Sequence, residues 1–260
     1  MLTDRLRRQA AERLRDAERG RTPVVPLTET FPGLGVEDAY HVQLLNIRDR
    51  QATGATVVGH KVGLSSPVMQ RMMGVDEPDY GHLLDDMELR SDRPVPVARY
   101  CAPRIEVETG FVLGADLPGE GCTPEDVLAA TERIIPAIEL IDSRIADWRI
   151  TIGDTIADNA SSAGFVIGEG RSPDEIDPKA VQARLHEDGA PLAEGRGDAV
   201  LGDPARSVAW LARTVARYGV RLREGHLVLP GSCTRAVDVT AGRTYTAEFT
   251  GLGSVSLSFY

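Results

Sequence analysis

Residues 103–114, Pro103-Arg104-Ile105-Glu106-Val107-Glu108-Thr109-Gly110-Phe111-Val112-Leu113-Gly114, read as a β-strand: β-branched and aromatic residues run between a proline and a glycine. Side chains alternate along a strand, so Ile105, Val107, Thr109, Phe111 and Leu113 share one face. The other face carries Glu106 and Glu108 side by side and then turns apolar through Gly110 and Val112. Either that face meets water, as on a solvated edge strand, or a positive group lies between the two carboxylates. Glutamate is mostly exposed, so the strand alone favours water.

A second segment shifts the balance. Glu139 sits among Ile138, Leu140 and Ile141, in a stretch that reads as a buried strand over Ala137–Ile141. A carboxylate in such a setting needs a partner, because burying an unpaired charge is costly. One arginine could supply it; a single divalent cation would satisfy Glu106, Glu108 and Glu139 together. Three oxygen ligands without neighbouring His or Cys suit a hard ion, Mg²⁺ or Mn²⁺, better than zinc. The open coordination positions would suit a 2-oxo acid, whose carboxylate and 2-oxo oxygens form a chelating pair.

The bulk composition is that of an ordinary globular protein: 260 residues, 42% hydrophobic and 26% charged. A formal net charge of −10 and the lack of a basic patch interleaved with aromatics argue against a nucleic-acid partner. No apolar run approaches a membrane span, and the charged N-terminus lacks an apolar signal core. Cys101, Cys122 and Cys233 are odd in number and far apart, so no disulfide framework is expected and a cytoplasmic location fits. Of 29 basic residues only Lys61 and Lys179 are lysines. Lys179 lies in a polar stretch, whereas Lys61 lies between apolar residues and glycines, an unusual place for a solubility charge. Lysine, unlike arginine, shifts its pKa readily when buried.

Along the chain, the apolar spacing predicts helices over 3–19 and 36–53, with a loop between them. A strand is expected over Thr56–Val62, and Ser66-Pro67 reads as the start of a helix over Val68–Met73. Asp79-Tyr80-Gly81 reads as a turn. Thr123-Pro124 opens a helix to about Ile134 that Pro136 ends, and Asp203-Pro204 opens another to about Tyr218. Residues 158–164 read as a polar loop before a strand at Phe165–Ile167, with short strands near 226–229, 234–240, 244–250 and 254–259. Helices gather early and strands dominate later, which predicts an α+β fold. Dinucleotide, Walker A, nucleophile-elbow and HExxH motifs are absent.

The segments GHKVGLSSPVMQRMMGVDEPDYGHL (59–83), PRIEVE (103–108), IELIDSRIADW (138–148), DTIADNASSAGFVIG (154–168), LPGSC (229–233) and GLGSV (251–255) carry a resemblance that runs almost end to end. Together they resemble the 2-hydroxypenta-2,4-dienoate (2-keto-4-pentenoate) hydratases, in the hydratase/decarboxylase branch of the fumarylacetoacetate hydrolase superfamily. The resemblance implies a mixed β-sheet roll with an N-terminal helical segment, divided as residues 1–55 and 56–260. It also implies Mg²⁺ or Mn²⁺ dependence, a pentameric or decameric homo-oligomer, and a place in meta-cleavage of aromatic or steroid rings. Glu106, Glu108 and Glu139 match the family's metal ligands, Lys61 its active-site lysine and Asp79 an acidic active-site position. Ser161 matches a position near the substrate carboxylate; Leu84 and Val166 are expected to line the pocket, and His60 to be structural or exposed. The implied activity is addition of water to 2-hydroxypenta-2,4-dienoate, through its 2-oxo-3-enoate tautomer, giving 4-hydroxy-2-oxopentanoate. Two alternatives stand beside it: the sister 2-oxo-3-hexenedioate (4-oxalocrotonate) decarboxylase, and a non-catalytic protein with a structural metal. A complex with the pathway aldolase or decarboxylase is compatible with either enzyme.

Overall fold

The strand that carries Glu106 and Glu108 is β3 (Pro103–Leu113), and it pairs antiparallel along nearly its whole length with β4 (Thr131–Asp142). In that register Glu106 stands directly opposite Glu139, and Glu108 opposite Ala137. A computed structural model describes residues 1–66, 70–71 and 74–260, so the helix expected over Val68–Met73 lies outside the described residues except at 70–71.

Around this hairpin the chain builds a mixed sheet in the order β2-β1-β8-β3-β4-β5, where β1 is Val57–Gly63, β2 Asp79–Leu84, β5 Ser162–Ile167 and β8 Leu227–Leu229. A short β9 (Val237–Asp238) also pairs with β3, and β1–β8 is the parallel pair in an otherwise antiparallel sheet. A second sheet runs β11-β10-β6-β7, from β6 (Gln182–Glu187), β7 (Ala190–Arg196), β10 (Thr244–Phe249) and β11 (Gly253–Ser258). Six helices accompany the sheets among the described residues: α1 (Asp4–Gly20), α2 (Leu27–Thr30), α3 (Val36–Ala52), α4 (Pro124–Ala130), α5 (Ile152–Ala157) and α6 (Pro204–Ala216). The fold is α+β with a curled mixed sheet, as expected.

The alternation in β3 and β4 divides the interior. Ile105, Val107, Phe111 and Leu113 join Ile134, Ile138 and Leu140 in the large core, with Tyr245, Leu257 and Phe259 from the second sheet and Leu14, Leu27 and Tyr40 from the helices. The opposite face carries the glutamates and then Val112, Ile135 and Ala137, which close a smaller core with Leu83, Leu84, Phe165, Leu227 and Leu229. The face turns apolar after Glu108 because it enters this second core. Gln43 on α3 ties the helical layer to the sheet: its amide donates to the Tyr80 and Ile156 carbonyls at 2.9 and 2.8 Å.

Several sequence expectations need correction. The helix opened by Pro124 ends at Ala130, and Thr131–Asp142 is one strand that contains Pro136. Pro136 lacks an N–H, but its carbonyl still accepts from Gly168 N at 2.9 Å, so the strand runs through it. Asp79-Tyr80-Gly81 opens β2 and is not a free turn. The expected loop between the first two helices contains α2, the strand near 234–240 shrinks to Val237–Asp238, and the hairpin of β6 and β7 is additional.

β1 and β8 approach so closely that a Cβ on Gly59 would stand 1.9 Å from the Leu227 carbonyl oxygen. Gly59→Ala is therefore expected to lower stability by about 1–3 kcal/mol through overpacking, read as a reduced midpoint in urea. An unchanged midpoint would mean that the two strands separate without cost.

Candidate active site

Four strands deliver five ionisable groups to one place. β3 presents Glu106 and Glu108, and β4 presents Glu139; one carboxylate oxygen of each lies within 4.8 Å of the other two. Glu108 and Glu139 are fully buried, and Glu106 is partly exposed. Lys61, from β1, is buried and sits 3.3 Å from Glu139 Oε2. Asp79 begins β2 opposite Gly63, where a Cβ would stand only 2.2 Å from Asp79 Oδ1. Glycine at 63 thus makes room for that carboxylate.

The hydrogen bonds leave acceptors free. Glu108 Oε2 accepts from Gly231 N at 2.7 Å, while Glu108 Oε1 and both oxygens of Glu139 accept no hydrogen bond. Asp79 Oδ2 accepts from Thr155 Oγ1 at 3.1 Å, and Oδ1 is unpartnered. Lys61 Nζ donates to the Ala160 carbonyl at 3.0 Å. The Ser161 hydroxyl is buried and unpartnered. Buried polar atoms are nearly always satisfied. Converging carboxylate oxygens without donors form a hard-oxygen donor set that suits a divalent cation.

Electrostatics point the same way. Burial pushes Glu139 up to about 7 against the pull of Lys61. Burial likewise raises Glu108 well above the usual range, reinforced by Glu139 and Glu106. Glu106 and Asp79 are raised by burial too, with Lys61 opposing in both cases. Burial disfavours the Lys61 charge, but Glu139, Glu106, Asp79 and Glu108 outweigh it and hold the ammonium above its ordinary range.

Lys61, Asp79, Glu106, Glu108 and Glu139 thus converge, with Ser161 in the adjoining turn. Leu84 lies in the small core beside the site. Val166 faces the large core, because it pairs with Ile138; its neighbour Phe165, opposite Glu139, is on the site's face. His60 points away from Lys61 and is buried beside His82, their ring centroids 4.7 Å apart. Sequence reasoning missed the Gly231 amide, Thr155 and the Ala160 carbonyl. The LPGSC segment holds Gly231, and a glycine between Pro230 and Ser232 signals a close backbone approach. No side-chain pattern marks a backbone carbonyl as a lysine acceptor.

The chain as a whole is similar to known proteins. Residues 76–259 match the model of the fumarylacetoacetate (FAA) hydrolase C-terminal family. The chain is 43% identical over 259 residues to a 2-keto-4-pentenoate hydratase of Paraburkholderia xenovorans, covering 99% of this chain and 96% of the relative. It is 42% identical over 251 residues to a 2-hydroxyhexa-2,4-dienoate hydratase of Comamonas testosteroni, covering 95% of each. Among solved structures, the 4-oxalocrotonate decarboxylase of Pseudomonas putida G7, complexed with magnesium and adipate, superposes with a TM-score of 0.96 at 37% identity. It covers 100% of this chain and 99% of that one. No helix among the described residues is long and apolar enough to cross a membrane.

The raised carboxylates make a signed prediction for the chelator-stripped protein. A folded-state pKa above the ordinary value of 4.5 stabilises the fold below that value, and the contribution is lost as pH rises through about 7 for Glu139. A divalent cation competes with those protons. Added Mg²⁺ should therefore raise the Tm more at about pH 7.5 than at about pH 5.5, measured by thermal scans with and without chelator. Equal increments at the two pH values would contradict this account.

Proposed function

This chain belongs to the FAA hydrolase family, and on that premise we propose that it is a metal-dependent hydro-lyase that hydrates 2-hydroxypenta-2,4-dienoate to 4-hydroxy-2-oxopentanoate. The observation that carries the reading is the largely buried, donor-poor triad of Glu106, Glu108 and Glu139 beside a charged Lys61. The triad would hold Mg²⁺ or Mn²⁺. Bound there, the ion would supply Lewis acidity for the carboxylate and 2-oxygen of the substrate and for enolate charge.

The chain's own groups divide the remaining work. Lys61 is held as an ammonium by its carboxylate neighbours, so it serves as a cation beside developing oxyanion charge and not as a base. Asp79, raised by burial and with Oδ1 free, is the acid placed to move a proton. We assign it to proton transfer in ketonisation of the dienol, which protonates C5, and in hydration of the resulting 2-oxo-3-enoate. There water adds oxygen at C4 and a proton reaches C3. The Ser161 hydroxyl is free to donate to the substrate carboxylate.

The same reading takes residues 1–55 as a helical segment and 56–260 as the catalytic β-roll. It also includes a cytoplasmic homo-oligomer, pentameric or decameric, serving meta-cleavage of aromatic or steroid rings beside the aldolase or decarboxylase of that sequence. A second reading has specific support: the closely superposing 4-oxalocrotonate decarboxylase shares 37% identity. Decarboxylation of 2-oxo-3-hexenedioate would leave an enolate that needs the same stabilisation.

The deciding assay offers chelator-stripped protein either acid, with Mg²⁺ or Mn²⁺ restored, and follows products by NMR together with CO₂ release. Metal-dependent 4-hydroxy-2-oxopentanoate without CO₂ is expected; CO₂ from the dicarboxylate alone would transfer the chain to the decarboxylases. Glu106→Gln should weaken metal binding, measured by calorimetry. Asp79→Asn should lower kcat by about 100-fold or more while leaving metal affinity near wild type.

A further inference from the structure

The turn that joins α5 to β5 is strained. Asn159, Ala160 and Ser161 are consecutive and none is glycine, yet their φ angles are 55, 50 and 57°. L-residues rarely adopt this left-handed region, and such outliers persist only where surrounding contacts over-determine them. The turn hands two groups to the site, the Ala160 carbonyl that accepts from Lys61 Nζ and the buried Ser161 hydroxyl.

Two devices hold it. Behind the turn, Arg144 is buried and its Nε and Nη2 donate to Asp158 Oδ1 and to the Asp158 carbonyl, each at 2.6 Å. Its Nη1 donates to the Ser162 carbonyl at 3.3 Å. In front, the Asn159 side chain acts as one rung of a sheet. Its Oδ1 accepts from His82 N at 2.8 Å, and its Nδ2 donates to the His82 carbonyl at 2.9 Å. The turn lies so close to β2 that a Cβ on Gly81 would stand 2.3 Å from the Asn159 carbonyl oxygen. Packing does not do this work alone: a cavity of about 290 Å³ behind the turn is lined by Asn46, Arg50, Arg144, Asp158, Asn159 and Ser162. The turn therefore has room to relax if its front hydrogen bonds are lost.

We propose that Asn159 is a positioning residue, acting through the Ala160 carbonyl on Lys61 and through the turn on Ser161. The proposal rests on the hydratase reading for its kinetic consequence. The bridge to β2 sets where the turn sits, and the turn sets where the Lys61 ammonium points. Arg144 anchors the same turn, but removing it would strand Asp158 buried without its partner, so Asn159 is the cleaner site to probe.

The test uses the full-length, metal-loaded protein and two substitutions. Asn159→Gly tolerates the left-handed backbone freely but removes the bridge. Asn159→Asp keeps the acceptor for His82 N and sets an oxygen against the His82 carbonyl. Because the chain has only Lys61 and Lys179, selective ¹³C,¹⁵N-lysine labelling gives two side-chain signals, and Lys61 is read directly. Both variants are expected to lower kcat by about 10–100-fold. Their KM and Mg²⁺ affinity should change less than about 3-fold, and the Lys61 signal should move. Wild-type kcat in Asn159→Gly would overturn the proposal, since relief of backbone strain would then be all that matters. So would an unmoved Lys61 signal, or a parallel loss of Mg²⁺ affinity, which marks general disruption. If the glycine variant does not fold, the aspartate variant decides on the same readouts. Wild-type protein inactive on the dienoate would sink the hydratase reading, and the Lys61 signal would still decide whether Asn159 positions it.

Discussion

The dominant constraint is an excess of buried negative charge. Glu106, Glu108, Glu139 and Asp79 meet around a single ammonium, Lys61, with only Glu106 partly exposed. Four carboxylates against one cation is an imbalance that a folded interior tolerates only by protonating the acids or admitting a counter-charge. Burial raises all four acids, which is the first response, and the oxygens of Glu108 and Glu139 that accept no hydrogen bond leave room for the second. A divalent ion would reduce the formal imbalance from −3 to −1. A fold built only for stability would replace this cluster with apolar side chains.

The architecture concentrates the cost where it serves chemistry. Antiparallel pairing puts Glu106 directly opposite Glu139, although like charges in that position weaken a hairpin. The hairpin survives because its other face contributes Ile105, Val107, Phe111, Ile134, Ile138 and Leu140 to the large core. Beyond the glutamates, the site face is sealed by the small core around Val112, Ile135 and Leu229. The carboxylates thus sit between two apolar clusters, which keeps bulk water away and makes each charge count for more than it would at a surface.

Much of this was legible in the residues. The alternation in 103–114 separates core from carboxylate face, and Glu139 stands out because its neighbours are apolar. Lys61 stands out because arginine supplies nearly every other cation. Where the reading failed, a local rule met a stronger tertiary one. Pro136 reads as a helix breaker, yet it lies in a strand whose β-branched Ile134 and Ile135 and full-length pairing with β3 override it. The β6–β7 hairpin is polar and partly exposed, so its alternation is faint, although Asp188-Gly189 is a recognisable hairpin turn. The left-handed turn at 159–161 left no trace, since no glycine announces it.

That missing glycine is itself informative. A glycine at 159 would relieve the backbone strain but would lack the amide that meets both His82 backbone groups. A serine at 161 is needed if a hydroxyl is to face substrate, so the left-handed backbone and the polar side chain must coexist there. The chain meets the conflict by binding the turn from both sides, through Arg144 and through the buried edge strand β2. The strain and the ligand-poor carboxylates then have one origin. Both are local departures from the lowest-energy arrangement of this sequence, and both surround Lys61, the one cation that the described residues supply to the site.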